Sequence, residues 1–255
     1  MPTDMMHSMQ MPQAPGFYGY QQFFIITALI LYFLAALMYS GFSGSNTKTI
    51  AKKIAQAFII MALFANFAVL IVRYIEGGRL PLNNIFETLS FFTLVTGIIF
   101  LLLEFFYKVS DYGVYVLAVI VISLCAVAFG PGFDNERMSI PPSMPALNSY
   151  WLPIHVIITF IAYSGFAIAA CAGARYLMLL AVTTAVAGPG ANEQGMPPQV
   201  SHMNTLDEIM YKIIGISYVL LGAGIISGSI WANEAWGGYW MWDPKEVWSL
   251  ITWAF

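Results

Sequence analysis

Charge is what this sequence has least of. Of its 255 residues, 10 are Lys or Arg and 13 are Asp or Glu, so 9% are charged, against about a quarter in an ordinary soluble domain. A soluble globule of this length cannot cover itself with so few charges, which excludes a soluble enzyme. The net charge of −3 has no basic block behind it, which argues against a nucleic-acid binder. Cysteine is equally scarce. Cys125 and Cys171 lie 46 residues apart in apolar runs, with no C-x-x-C, no zinc spacing and no disulfide framework. Buried apolar thiols are inert packing groups, so the chain brings no thiol chemistry of its own. The first 21 residues hold no Lys or Arg and do not read as a cleavable signal peptide. No internal repeat or heptad pattern stands out.

What the sequence has instead is apolar length: 59% of it is hydrophobic, with a mean hydropathy of +0.74. A helix needs about 20 such residues to cross a bilayer core. Six runs qualify: Phe23 to Tyr39, Ile54 to Val72, Ile85 to Leu103, Tyr112 to Gly130, Leu152 to Ala174 and Ile213 to Trp231. Glu87, near the start of the third, is the one charge inside them. A seventh run, Val247 to Phe255, stops with the chain after nine residues and reads as a truncation. The expected fold is therefore all-α, a polytopic transmembrane bundle of about six complete spans and a partial seventh. It forms one domain, 23–255, behind a disordered outer tail, 1–22. That tail is rich in Met (Met1, Met5, Met6, Met9, Met11) around His7, and reads as disordered rather than as a soft-metal site. Gly188 to Asn204, which includes His202, reads as a mobile Pro/Gly-rich loop without a functional role.

Orientation follows from the basic residues in alternating loops. Lys48, Lys52, Lys53, Lys108, Arg175 and Lys212 fall on one side, and Arg73, Arg79, Arg137 and Lys245 on the other. The richer set marks the cytoplasmic side, which leaves the N-terminus and residues 232–246 outside. Span parity alone puts His155 and the segment after Trp231 on the same face.

Six of the seven tryptophans lie in WANEAWGGYWMWDPKEVWSLITW, Trp231 to Trp253. An aromatic belt explains two or three Trp at a helix end. It does not explain Trp236, Trp240 and Trp242 around a Gly237-Gly238 turn beside acidic residues. Asp243-Pro244-Lys245-Glu246 has Asp at an N-cap, Pro at N1 and Glu at N3, a capping box that opens a seventh helix. The aromatic residues before the cap make a shelf at the membrane surface, suited to a flat conjugated ligand such as a porphyrin.

WGGYWMWDPKEVWSLITW resembles the WWD signature of heme-handling membrane proteins, and its PKE-W-LITW tail is similar to the CcsA (ResC) branch of cytochrome c biogenesis proteins. The CcmF and CcmC branches share the WG…W.WD core but continue differently. PLNNIFETLSFF (Pro81 to Phe92) and YWLPIHVIITFIAYSGF (Tyr150 to Phe166) also resemble CcsA. The resemblance implies heme transport and presentation at the outer membrane face for attachment to the CXXCH thiols of apocytochrome c. It implies heme b as the bound cargo, a CcsB (ResB) partner, a thiol-reducing thioredoxin-like protein, and a part in a holocytochrome c synthase with no self-contained catalytic residues here. The location implied is the bacterial cytoplasmic membrane, or the thylakoid membrane for a plastid protein.

The same resemblance assigns the heme surface to Trp236, Gly237, Gly238, Tyr239, Trp240, Trp242 and Asp243, with His155 as an axial iron ligand. His155 lies about one turn into a helix that Pro153 can start, where the helix dipole favours a neutral imidazole. The family's second flanking histidine and its transmembrane histidine are expected downstream of LITW, and neither His7 nor His202 matches them. Asn83, Asn84 and Glu87 fit the family's PLxNxxE stretch, as ligand contacts or as helix caps. Two other classes compete: a cofactor-free membrane transporter, which should show intramembrane charges or broken helices, and a structural subunit that docks a partner through its tryptophans.

Overall fold

The computed structural model describes residues 18–40, 47–108, 110–130, 145–187 and 199–255. They form α1 (Tyr18–Ser40), α2 (Thr47–Gly77), α3 (Ile85–Tyr107), α4 (Gly113–Phe129), a 3-10 turn (Pro145–Leu147), α5 (Trp151–Ala187), α6 (Gln199–Trp236) and α7 (Pro244–Ala254). No strand occurs among the described residues. The Met-rich tail with His7 lies outside them.

Each apolar run is a helix, and one expectation needs correction. Five helices, α1, α2, α3, α5 and α6, are long and apolar enough to cross a membrane. The fourth expected span, α4, is a shorter apolar helix of 17 residues, about 26 Å long, at the lower end of what crosses a bilayer core. The correction concerns the loop expected over 188–204: α6 already begins at Gln199, so His202 to Asn204 are helical. Hydropathy ended the fifth span at Ala174 because Arg175 follows, yet α5 runs on to Ala187. Charge ends a span but not a helix. Here the extension is held by packing, because Leu179 on α5 and Met203, Leu206 and Ile209 on α6 are buried beyond the apolar runs.

The core lies between α1, α2, α3, α4, α5 and the first half of α6. Tyr32, Ile59, Phe100, Leu117, Ile120 and Ile168 have no exposed surface. Alanines at 28, 35, 55 and 62 are equally buried and let α1 and α2 approach closely, as small residues do between membrane helices. Large apolar side chains also face outward, among them Phe23, Phe33, Phe64, Phe105, Ile122 and Val219, each more than half exposed. Such a surface suits lipid and not water.

Two polar clusters occupy opposite ends of the α1–α3 unit. At one end Arg73 Nε donates to Glu87 at 3.0 Å with Nη2 at ion-pair distance, also 3.0 Å, while Arg79 reaches the same carboxylate at 3.1 Å. Gln21 accepts from Arg73 at 2.9 Å and donates to Glu76. At the other end Glu104 accepts from Tyr39 (2.6 Å) and Gln56 (3.1 Å) and pairs with Lys52 (3.1 Å). A small second core joins the loop before α3 to the rest: Leu82 packs with Leu152 and Val156 of α5 and against Trp231 of α6.

Candidate functional site

α6 ends at Trp236, where Gly237 takes a left-handed conformation (φ +80°) and its N–H bonds the Asn233 carbonyl at 2.9 Å. Only glycine adopts that conformation without steric cost. Six residues after Gly237, at Asp243, α7 opens on the capping box read from the sequence. Glu246 N–H donates to Asp243 Oδ1 at 2.8 Å, and the Glu246 carboxylate accepts from Asp243 N–H. The same Glu246 oxygen accepts from Met241 N–H at 2.7 Å. Gathering the amides of 241 and 243 on one oxygen holds Trp242 between them at φ +59°, an outlying conformation for a bulky residue.

From this cap α7 folds back along α6. Trp253 stacks on Tyr218 (centroids 5.2 Å apart, planes at 12°), and its indole N–H donates to the Tyr218 carbonyl at 3.1 Å. The ring rests over Gly222, where a Cβ would lie 2.9 Å from Nε1.

The opposite wall is α5. His155, its fifth residue, places Nδ1 2.8 Å from the Gly224 carbonyl of α6. A carbonyl only accepts, so this contact calls for the proton on Nδ1, which in the neutral ring leaves the lone pair on Nε2. The imidazole lies parallel to the Trp231 ring (6.3 Å, 9°). A backbone carbonyl on one ring nitrogen and a lone pair on the other is the arrangement found in metal-binding histidines.

Between these walls lies an open cleft of about 260 Å³. His155, Trp236, Tyr239, Trp240 and Asp243, all named from the sequence, line it. Trp242, Gly237 and Gly238 do not. Trp242 is 73% exposed and meets Trp240 edge to face (5.9 Å, 89°), and Gly237 terminates α6. Sequence reasoning missed Thr159, Tyr163, Trp231 and Lys245, which also line the cleft. The first two carried a usable signal, since 155, 159 and 163 recur every four residues on one helix face.

Elsewhere the other sequence candidates are accounted for by packing. Asn84 is the N-cap of α3, accepting from Glu87 N–H at 2.9 Å, and Asn83 N–H donates to the Glu87 carboxylate at 2.8 Å. His202 Nδ1 lies 3.5 Å from Asp111, away from the cleft. Cys125 and Cys171 are unpaired and do not line it. Among the described residues no group of three His, Cys, Asp or Glu could hold a bare metal ion. The cleft offers instead stacking faces, one imidazole, and Lys245 beside the carboxylates of Asp243 and Glu246. That set suits a flat macrocycle that brings its own metal and most of that metal's ligands.

Residues 82–255 match the family described as "Cytochrome C assembly protein". The chain is 36% identical over 223 residues to the cytochrome c biogenesis protein CcsA of Guillardia theta, covering 80% of this chain and 72% of that one. It is 31% identical over 252 residues to the CcsA of Synechococcus elongatus, covering 84% and 76%. With the CcsA of Microcystis aeruginosa it shares 28% identity over 267 aligned positions, covering 89% and 80%.

Proposed function

This chain belongs to the cytochrome c assembly family, in its CcsA branch, and from that premise we propose that it binds heme b in the cleft between α5, α6 and α7 and presents it for attachment to apocytochrome c. One observation carries the reading: His155 lines an aromatic cleft and engages the Gly224 carbonyl through Nδ1, so that Nε2 is the nitrogen left for a metal. Trp236, Tyr239 and Trp240 offer stacking faces, and burial against them supplies affinity. Trp242 supports Trp240 from outside, while Asp243 and Gly237 shape the turn that carries both. Bound iron would take Nε2 of His155 as an axial ligand, and the ligand sets the iron's electronic character. The cleft is open and smaller than most cavities that enclose a ligand. It suits a cargo held by one part and handed on by another.

The reading extends to partners. The two cysteines stand apart from the cleft, so the thiols come from the CXXCH of an apocytochrome c kept reduced by a thioredoxin-like protein. A CcsB (ResB) subunit completes the assembly. The six-to-four basic bias orients the Trp segment outward, toward the periplasm or the thylakoid lumen. A cysteine placed at Gly238 should then react with an impermeant maleimide added outside, and one at Lys108 should not. The reverse pattern overturns the orientation.

An absorption spectrum of the purified protein tests the cargo. A Soret band, present on isolation or after hemin addition, is expected. A protein that stays colourless with excess hemin leaves the transporter or structural reading in its place.

A further inference from the structure

Three glycines of α6 face ring or hydroxyl groups of its neighbours at distances that admit no Cβ. At Gly222 the group is Trp253, at Gly224 it is the Thr159 hydroxyl (2.6 Å), and at Gly228 it is the imidazole of His155. A Cβ at 228 would lie 2.8 Å from both Nδ1 and Cε1, about 1 Å inside a normal carbon contact. The imidazole cannot swing away freely. It is tied to the Gly224 carbonyl one turn earlier on α6 and lies flat beside Trp231 one turn later. One face of one helix thus supplies a seat, a hydrogen bond and a flanking ring to the side chain that enters from α5.

We infer that Gly228 and the Gly224 carbonyl are positioning elements for His155: the missing Cβ at 228 seats the ring, and the carbonyl fixes its tautomer so that Nε2 is the nitrogen offered to the cargo. The inference rests on the heme reading for its function, but the geometry exists without heme. Partners that orient a metal-binding histidine are typically worth on the order of 10- to 100-fold in affinity when lost. Gly228→Ala should therefore act on the heme as a ligand mutation does, although residue 228 offers no ligand atom.

The test is a cycle of variants in purified, detergent-solubilised protein. Gly228→Ala should weaken hemin binding about 10- to 100-fold and shift the Soret band. In a His155→Gly background supplied with imidazole, adding Gly228→Ala should change nothing further, because the untethered ring places itself. A defect that persists in that background belongs to α5–α6 packing and overturns the inference. So does an unchanged Gly228→Ala spectrum. Gly215→Ala, with open space at its Cβ, is the neutral control. Gly165→Ala, which runs into Ser217 of α6, is the packing control and should destabilise the bundle without moving the band of the heme it retains.

A second readout works without cargo. Nitrogen-15 spectra of the histidines in the heme-free protein, with His155 assigned by its loss in His155→Gly, should show Nδ1 protonated. An Nε2-protonated ring refutes the tautomer lock. If the protein binds no hemin at all, the heme reading fails, and this spectrum still decides the geometry.

Discussion

The two halves of this bundle use polar groups in opposite ways. In α1–α3 the buried charges satisfy one another: Arg73 and Glu87 are 1% exposed and share a carboxylate with Arg79, and Glu104 is 2% exposed among Tyr39, Gln56 and Lys52. In α5–α7 the helices meet through glycine and aromatic rings, and the polar side chain at the centre, His155, opens on a cleft. A charge in a membrane is tolerated when it is paired, so the first half spends its polar chemistry on cohesion. The second half obtains cohesion from close approach and can leave a donor unspent. Buried charge therefore marks the scaffold here, and on the heme reading the imidazole marks the site. This also tells against a transporter, whose intramembrane charges should line a path.

Changes that unbalance the charged half should have the largest effect on stability. Arg73→Met leaves the buried Glu87 carboxylate with the Asn83 N–H and one partly exposed cation, Arg79, and breaking a buried pair costs about 3–5 kcal/mol. The loss should appear in detergent unfolding curves, with the Soret position of the folded fraction unchanged. Replacing both Arg73 and Glu87 by Met should cost less than Arg73→Met alone, because no uncompensated charge remains. Additive losses would mean that the pair is not the unit of cohesion.

Smaller effects are expected at the cap that carries the shelf. Asp243→Ala removes the acceptor for Glu246 N–H, a loss of about 1 kcal/mol. It should fray the start of α7, seen as faster amide exchange at 245–247, and weaken hemin binding without shifting the band. Trp242→Gly should be the mildest. Glycine relieves a left-handed backbone worth about 1 kcal/mol, offsetting the lost edge contact with Trp240. Its melting temperature should match the parent or rise. A large fall would place Trp242 inside the packing rather than on its rim.

Much of this was legible in the sequence because it is local. The apolar runs become helices, and the capping box at 243–246 and the N-cap at Asn84 form from neighbours within four residues. The pairing of His155 with the Trp segment followed from span parity and resemblance, not from any local signal. What stayed hidden was tertiary. Arg73 reads as a loop charge at a span end, yet it lies within α2 and is buried because Glu87 comes 3.0 Å from it. The glycines at 222, 224 and 228 read as ordinary small residues of a membrane helix. Only the approach of Trp253, Thr159 and His155 shows what each would exclude. The overrun of α5 and α6 was missed because hydropathy finds where lipid ends, while helix length is set by the partner helix.

The central claim is that the cleft holds heme by a stacking shelf and a single tethered imidazole. The most direct measurement is the Soret spectrum of His155→Gly and Trp240→Ala, each with and without added imidazole. His155→Gly should lose heme or shift its band, and imidazole should restore it by filling the space the side chain left. Trp240→Ala should lose heme without rescue, because a free ligand does not rebuild a shelf. A His155→Gly protein with the parent's spectrum, or equal rescue of both variants, contradicts the account.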